Sequence, residues 1–367
     1  MEKALQNQAL PVQTRREGQI ELLRVVCMLL ILAHHLSWHG SAMYSPSRTN
    51  QALATFLFAG GMTGVNCFVM ITGYFLASFK AKRFFATLLQ TLFYSVGLTL
   101  LAKVAGWRQD VTGETFKNAA LILSRSPYWF VTMYLALTAV LPLLQPAVKN
   151  LNRNGHLWVL ILSTAYLSVI PTLTFQNPAS QYFHQFTWFL YLYVLGAYFR
   201  KFPSRVTRCV PLQGALFLLM VVCIALSCLW GAQHQELFQR VGSRQNFFAD
   251  KNAVPQLICS CSLFLFFANL RVKPYKWLTL LSGASFGVYL IHDHGLLRGM
   301  IWGAWLQIWQ ACQREDFWLT ALLAPAGIYL ACAAIDLVRK HLLEKPLLKL
   351  LNPVFEKTDG WMGRRDP

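Results

Sequence analysis

The chain has 367 residues, of which 55% are hydrophobic, 14% aromatic and only 13% charged, with a formal net charge of +18. Soluble chains are about one-quarter charged, whereas long apolar runs recur here from residue 20 to residue 351. This pattern excludes a soluble globular protein, and it assigns the positive charge to membrane loops and anionic lipid rather than to nucleic acid.

Ten apolar stretches approach the ~20 residues a bilayer core requires. They run approximately over 20–38, 53–78, 84–105, 128–148, 156–174, 184–200, 210–231, 255–270, 277–296 and 317–341. The pattern predicts an all-α polytopic membrane protein of about ten transmembrane helices. The first eighteen residues are polar and no cleavage-site pattern follows, so the first stretch is read as a retained helix. The predicted organisation is a cytoplasmic N-terminal segment (1–19), a transmembrane domain (20–345) and a cytoplasmic C-terminal tail (346–367). Lys and Arg fall 22 on the side of the N-terminus and 10 on the other, with Arg24 inside the first helix. By the positive-inside rule both ends are then cytoplasmic. The inner connections are short and basic. The outer ones at 106–127, 232–254 and 297–316 are longer and mix polar with aromatic residues, as binding loops do.

The first stretch, IELLRVVCMLLILAHHLSW, carries an arginine near its start and a histidine pair near its end. Arg24 and His35 are eleven residues apart, about three turns and ~16 Å of rise with ~20° of angular drift, so they share a face. Such groups are costly against lipid and mark functional positions. A snorkelling Arg24 and a carbonyl-bonded His35 are the bland alternatives, and Glu21 lies on the same face as a candidate partner for Arg24. A neutral imidazole can take a proton from a hydroxyl, and a guanidinium can hold a phosphate.

The second stretch holds Gly60, Gly61, Gly64 and Gly73, which permit close helix approach. The cluster Lys80, Lys82 and Arg83 that follows either fixes orientation or binds a donor's phosphates. PYWFVTMYL, with Trp129, reads as an interfacial aromatic entry to the fourth helix, which Pro142 and Pro146 are expected to end or kink. SGASFGVYLIHDHG carries Tyr289, His292, Asp293 and His294 near the outer end of the ninth span, the half in which His35 also lies. Neighbouring positions on a helix diverge, so no metal site is expected there; a substrate-facing His292 or a structural cap is. The nine cysteines show neither metal spacing nor a disulfide framework.

These residues carry a resemblance. ELLRVVCMLLILAHH, with Arg24 and His35, resembles the first-helix signature of the integral-membrane acyltransferase 3 family. GVNCFVMITGYFL, AKRFF, WFVTMYLALTAVLPLL, YLYVLGAYF, SFGVYLIHDH and LLEKPLLKLL resemble further family segments in the same order, most closely in its polysaccharide O-acetyltransferase branch. The resemblance implies a bacterial cytoplasmic-membrane enzyme that moves an acetyl group from acetyl-CoA to a hydroxyl of a cell-surface polysaccharide or glycan precursor. Arg24 and His35 would be catalytic, and Arg24, Lys82 and Arg83 would hold the donor. His292, Tyr289 and Trp129 are placed as substrate-binding residues. Many relatives carry a further arginine after the basic loop, where Phe84, Phe85 and Ala86 stand here. Expected partners are acetyl-CoA as a substrate rather than a resident cofactor, a saccharide or glycolipid acceptor, and membrane lipid; the sequence carries no sign of an oligomeric state. The alternative from another class is a transporter or flippase of a glycan precursor or other polar solute. It would usually show repeated halves with broken helices, and no repeat is visible here.

Overall fold

The computed structural model describes residues 17–125, 127–175 and 182–363, in which every regular element is helical. The basic residues Lys3, Arg15 and Arg16, and Arg364 and Arg365 of the tail, lie outside the described residues. Helices occupy all ten predicted stretches. They are α1 (Gly18–His39), α2 (Arg48–Ala59) and α3 (Gly61–Tyr74), α4 (Ala81–Val104), α5 (Trp129–Asn150) and α6 (Arg153–Thr164). Then come α7 (Tyr182–Lys201), α8 (Val210–Gln233), α9 (Val254–Ala268), α10 (Lys276–His292) and α11 (Phe317–Arg339). Among the described residues, eight helices are long and apolar enough to cross a membrane, with α2 and α3 counted as one. The protein is therefore an all-α, multi-pass membrane protein.

Helices α7 and α10 fill the two remaining stretches. Helix α10 has only 17 residues, about 25 Å of rise; its first turns are exposed at Trp277 and Leu280, and its second half, from Ala284, is largely buried. Two boundaries differ from expectation, and a third stretch keeps its expected end but is interrupted within it. The second stretch begins earlier, at Arg48, and turns at Gly60, which separates α2 from α3. Helix α5 runs past both Pro142 and Pro146 to Asn150. The fifth stretch continues beyond α6 through a π-helical turn, Ala165–Val169, into Ile170–Thr174.

Helix α1 is the axis of the bundle. It packs against α2, α3, α9, α10 and α11. Its first half supplies Ile20, Leu23 and Cys27 to one apolar core, and its second half supplies Met28, Ile31, Leu32 and Leu36 to the other. The glycines of α3 explain how closely the helices approach. A Cβ at Gly64 would meet the Cys27 carbonyl of α1, and one at Gly73 would meet the Tyr193 carbonyl of α7. Backbone touches backbone at both points, a packing that only small residues allow. At the amino end of α1, Glu17 pairs with Arg200 at 3.2 Å. The tail is docked rather than loose: in α12 (Asn352–Gly363), Phe355 is buried on Phe85, and the Asp359 carboxylate accepts from the first backbone N–H of α4 at 2.8 Å.

Candidate active site

A cavity of about 470 Å³ runs along α1. Its walls are the Arg24–His35 face of α1, part of α3, the first three turns of α4, the start of α5 and the inner face of α10. Ser78, Lys80 and Arg83 are exposed and line it, so they form a mouth at the amino-terminal end of α1. His35, Tyr289 and Asp293 line the other end. The face shared by Arg24 and His35 is thus the wall of one cavity.

At the far end, His35 Nδ1 lies 2.9 Å from His292 Nε2, and His292 Nδ1 lies 2.7 Å from the Val288 carbonyl oxygen. These contacts fix the tautomers. A carbonyl only accepts, so His292 Nδ1 carries a proton; in neutral His292, Nε2 is then an acceptor, and His35 must donate from Nδ1. Neutral His35 is left with its lone pair on Nε2, which has no hydrogen-bond partner among the described residues. An unprotonated nitrogen at a cavity wall is what a general base requires.

Asp293 stands beside this pair. Its Oδ1 is 3.8 Å from His35 Nδ1, 3.6 Å from His39 Nε2 and 3.6 Å from Arg298. These separations are too long for hydrogen bonds, and the same oxygen is buried without a hydrogen-bond partner among the described residues. The carboxylate therefore offers a field that favours positive charge on His35. Tyr289 contributes a hydroxyl that is likewise buried with no hydrogen-bond partner among the described residues, and its side chain lines the cavity.

Arg24 lines the cavity partway between the mouth and His35 and makes no hydrogen bond or ion pair among the described residues. Glu21, its candidate partner, instead accepts from the Ser282 hydroxyl of α10 and is buried. That leaves the Arg24 guanidinium with its donors free for a ligand. Of the basic cluster, Lys80 and Arg83 line the cavity, while Lys82 is exposed outside it. On α4 the face that meets the cavity is Arg83, Phe84, Thr87 and Gln90, and Lys82 sits to one side of that stripe.

Of the other predicted site residues, Trp129 and Tyr289 line the cavity. His292, expected to face substrate, is 0% exposed and stands one step behind His35. His34, the other member of the pair, turns away and bonds the Phe58 carbonyl at 2.8 Å. Of the three consecutive residues of the IHDH stretch only His294 turns away, to the Ser95 carbonyl at 3.1 Å; His292 and Asp293 both approach His35, and Asp293 also faces His39 and Arg298. His39 was passed over in the sequence, though its place four residues after His35 puts it on the same face. Gln90 was passed over too; its signal is a lone carboxamide within an apolar helix.

The donor atoms of His35, His39 and Asp293 lie within 4.8 Å of one another, a spacing that a metal ion could bridge. A metal held through His35 Nδ1 would displace His292, and one held through the free Nε2 would occupy the nitrogen that serves as base, so a bound metal and the base are competing uses of the His35 ring.

A family model described as an acyltransferase domain matches residues 17–337. No curated protein and no solved structure matches the chain.

Proposed function

The chain belongs to the acyltransferase 3 family and is a membrane acyltransferase, and on that premise we propose that it transfers an acetyl group from acetyl-CoA to a hydroxyl of a cell-surface polysaccharide or glycan precursor in the bacterial cytoplasmic membrane. The observation that carries this reading is one cavity lined both by Arg24, which has no hydrogen-bond or ion-pair partner among the described residues and lies behind a basic mouth, and by His35, whose Nε2 is likewise without a partner among them. The dimensions agree. From diphosphate to sulfur, the arm of CoA is roughly a dozen bonds, about 14 Å extended, and Arg24 and His35 are ~16 Å apart along α1.

In this mechanism the donor enters from the cytoplasmic side, with its phosphates held by Arg24, Arg83 and Lys80. His35 Nε2 takes the proton of the acceptor hydroxyl as its oxygen attacks the thioester carbonyl. The tetrahedral oxyanion is offered the Tyr289 hydroxyl as a donor. The C–S bond then breaks, the ester forms, and His35 returns the proton to the CoA thiolate. His292 holds the imidazole in the required tautomer, and Asp293 offsets the charge of the transient imidazolium. Trp129, close to the acceptor end, supplies an aromatic surface for a sugar ring.

The test is acetylation of surface glycans in cells in which His35→Ala or Arg24→Ala replaces the wild type at equal membrane level. Loss of O-acetyl groups in both supports the reading, and undiminished acetylation overturns it.

A further inference from the structure

A buried charge network lies behind the cavity wall, and the acyl-transfer steps make no use of it. Asp336 of α11 is 1% exposed. Its Oδ1 accepts from Arg339 Nε, from the Tyr94 hydroxyl and from Gln90 Nε2, each at 2.9 Å. Arg339 also reaches Glu344 at 2.6 Å. A Cβ at Gly287 would overlap the Asp336 carboxyl group, so the glycine of α10 makes room for it.

Arg339 and Tyr94 already offset the cost of burying this carboxylate. The third donor, Gln90, is the member of the network that lines the cavity. Its orientation is set by chemistry: a carboxylate only accepts, so Gln90 must present its NH₂ group to Asp336. The amide oxygen, Oε1, is left over and has no hydrogen-bond partner among the described residues. The network therefore locks a lone acceptor into a cavity whose lining is mostly apolar.

Its depth identifies the ligand group. Gln90 lies seven residues beyond Arg83 on the same face of α4, about 10 Å deeper than the mouth. From the α4 start at Ala81 it is ~13 Å in, whereas His35 is ~25 Å from the α1 start. Gln90 thus sits beyond the phosphate-binding mouth and short of the reacting nitrogen. The stretch of acetyl-CoA that spans this interval is the pantetheine arm, with its two amide N–H groups.

We propose that Gln90, locked by Asp336, accepts a hydrogen bond through Oε1 from an amide N–H of the donor's pantetheine arm. Gln90 is then a donor-recognition residue and Asp336 its positioning residue. The proposal rests on the acetyl-CoA reading above.

The experiment uses the purified full chain and the near-isosteric Gln90→Met, which removes the acceptor and keeps the volume. It measures KM and kcat for acetyl-CoA, inhibition by CoA, and inhibition by a CoA fragment that keeps the nucleotide and phosphates but lacks the arm. Losing one such hydrogen bond should raise the acetyl-CoA KM and weaken CoA inhibition about tenfold, with kcat held within about twofold and inhibition by the fragment unchanged. Asp336→Asn should give the same arm-selective loss. Because it also strips Arg339 of its carboxylate, its folding is checked separately and Gln90→Met decides. Equal weakening of CoA and fragment, or no change in either, overturns the proposal while leaving the acetyl-CoA reading in place. A wild-type protein that neither consumes acetyl-CoA nor binds CoA overturns both.

Discussion

Replacing His292 by Phe separates a catalytic relay from a structural histidine. The change leaves the ring shape and removes the Nε2 acceptor that lies 2.9 Å from His35 Nδ1. His292 is 0% exposed, so water does not readily fill the gap, and the His35 N–H is left without its partner. A buried donor abandoned in this way costs about 1–3 kcal/mol. The free energy is recovered if His35 moves its proton to Nε2, and that tautomer cannot act as the base. The expected loss in kcat is therefore about 5- to 150-fold. The donor-binding end is untouched, so the acetyl-CoA KM should stay within about twofold. His292→Gln, which can restore an acceptor, should recover part of the rate. The assay is release of free CoA thiol by purified protein given a saccharide acceptor, with monodispersity of each variant measured alongside. A folded His292→Phe protein with wild-type kcat, or one altered only in KM, would refute the tautomer argument.

Three further outcomes follow from the geometry. Arg24→Ala should raise the acetyl-CoA KM about 10- to 100-fold through loss of charge-assisted hydrogen bonds to phosphate, and Arg24→Lys should recover only part of it; steady-state kinetics reads both. Lys82→Ala should stay within about twofold of wild type in KM while Arg83→Ala weakens the donor, because Lys82 is exposed outside the cavity that Arg83 lines; equal effects would contradict the placement of the mouth. Gly73→Ala forces a methyl into the Tyr193 carbonyl, and overpacking of this kind costs about 1–3 kcal/mol; thermal unfolding in detergent should move to lower temperature, and an unchanged midpoint would deny the close contact of α3 with α7.

The helices were legible in the sequence because a bilayer demands apolar runs of one length, and this signal needs no knowledge of which helix touches which. It gave no warning of the turn at Gly60, since Gly60 and Gly61 read equally well as packing glycines inside one helix. Arg24 and His35 were legible because both lie on one helix, where spacing alone fixes their common face. The partner of His35 was not. His292 is 257 residues away, and only the packing of α1 on α10 decides that its ring turns toward His35 rather than toward substrate. Glu21 shows the same limit from the other side: helical spacing offers it Arg24, and tertiary packing gives it Ser282. The role of Gln90 was equally hidden, because a carboxamide acquires an orientation only from the carboxylate behind it.

The most direct test of the central claim is transfer of labelled acetyl from acetyl-CoA to a glycan acceptor by the purified protein, compared between wild type and His35→Ala. The wild type should give labelled O-acetyl glycan and one equivalent of free CoA, with both products falling together to background in His35→Ala. Transfer at the wild-type rate without the His35 imidazole would contradict that claim.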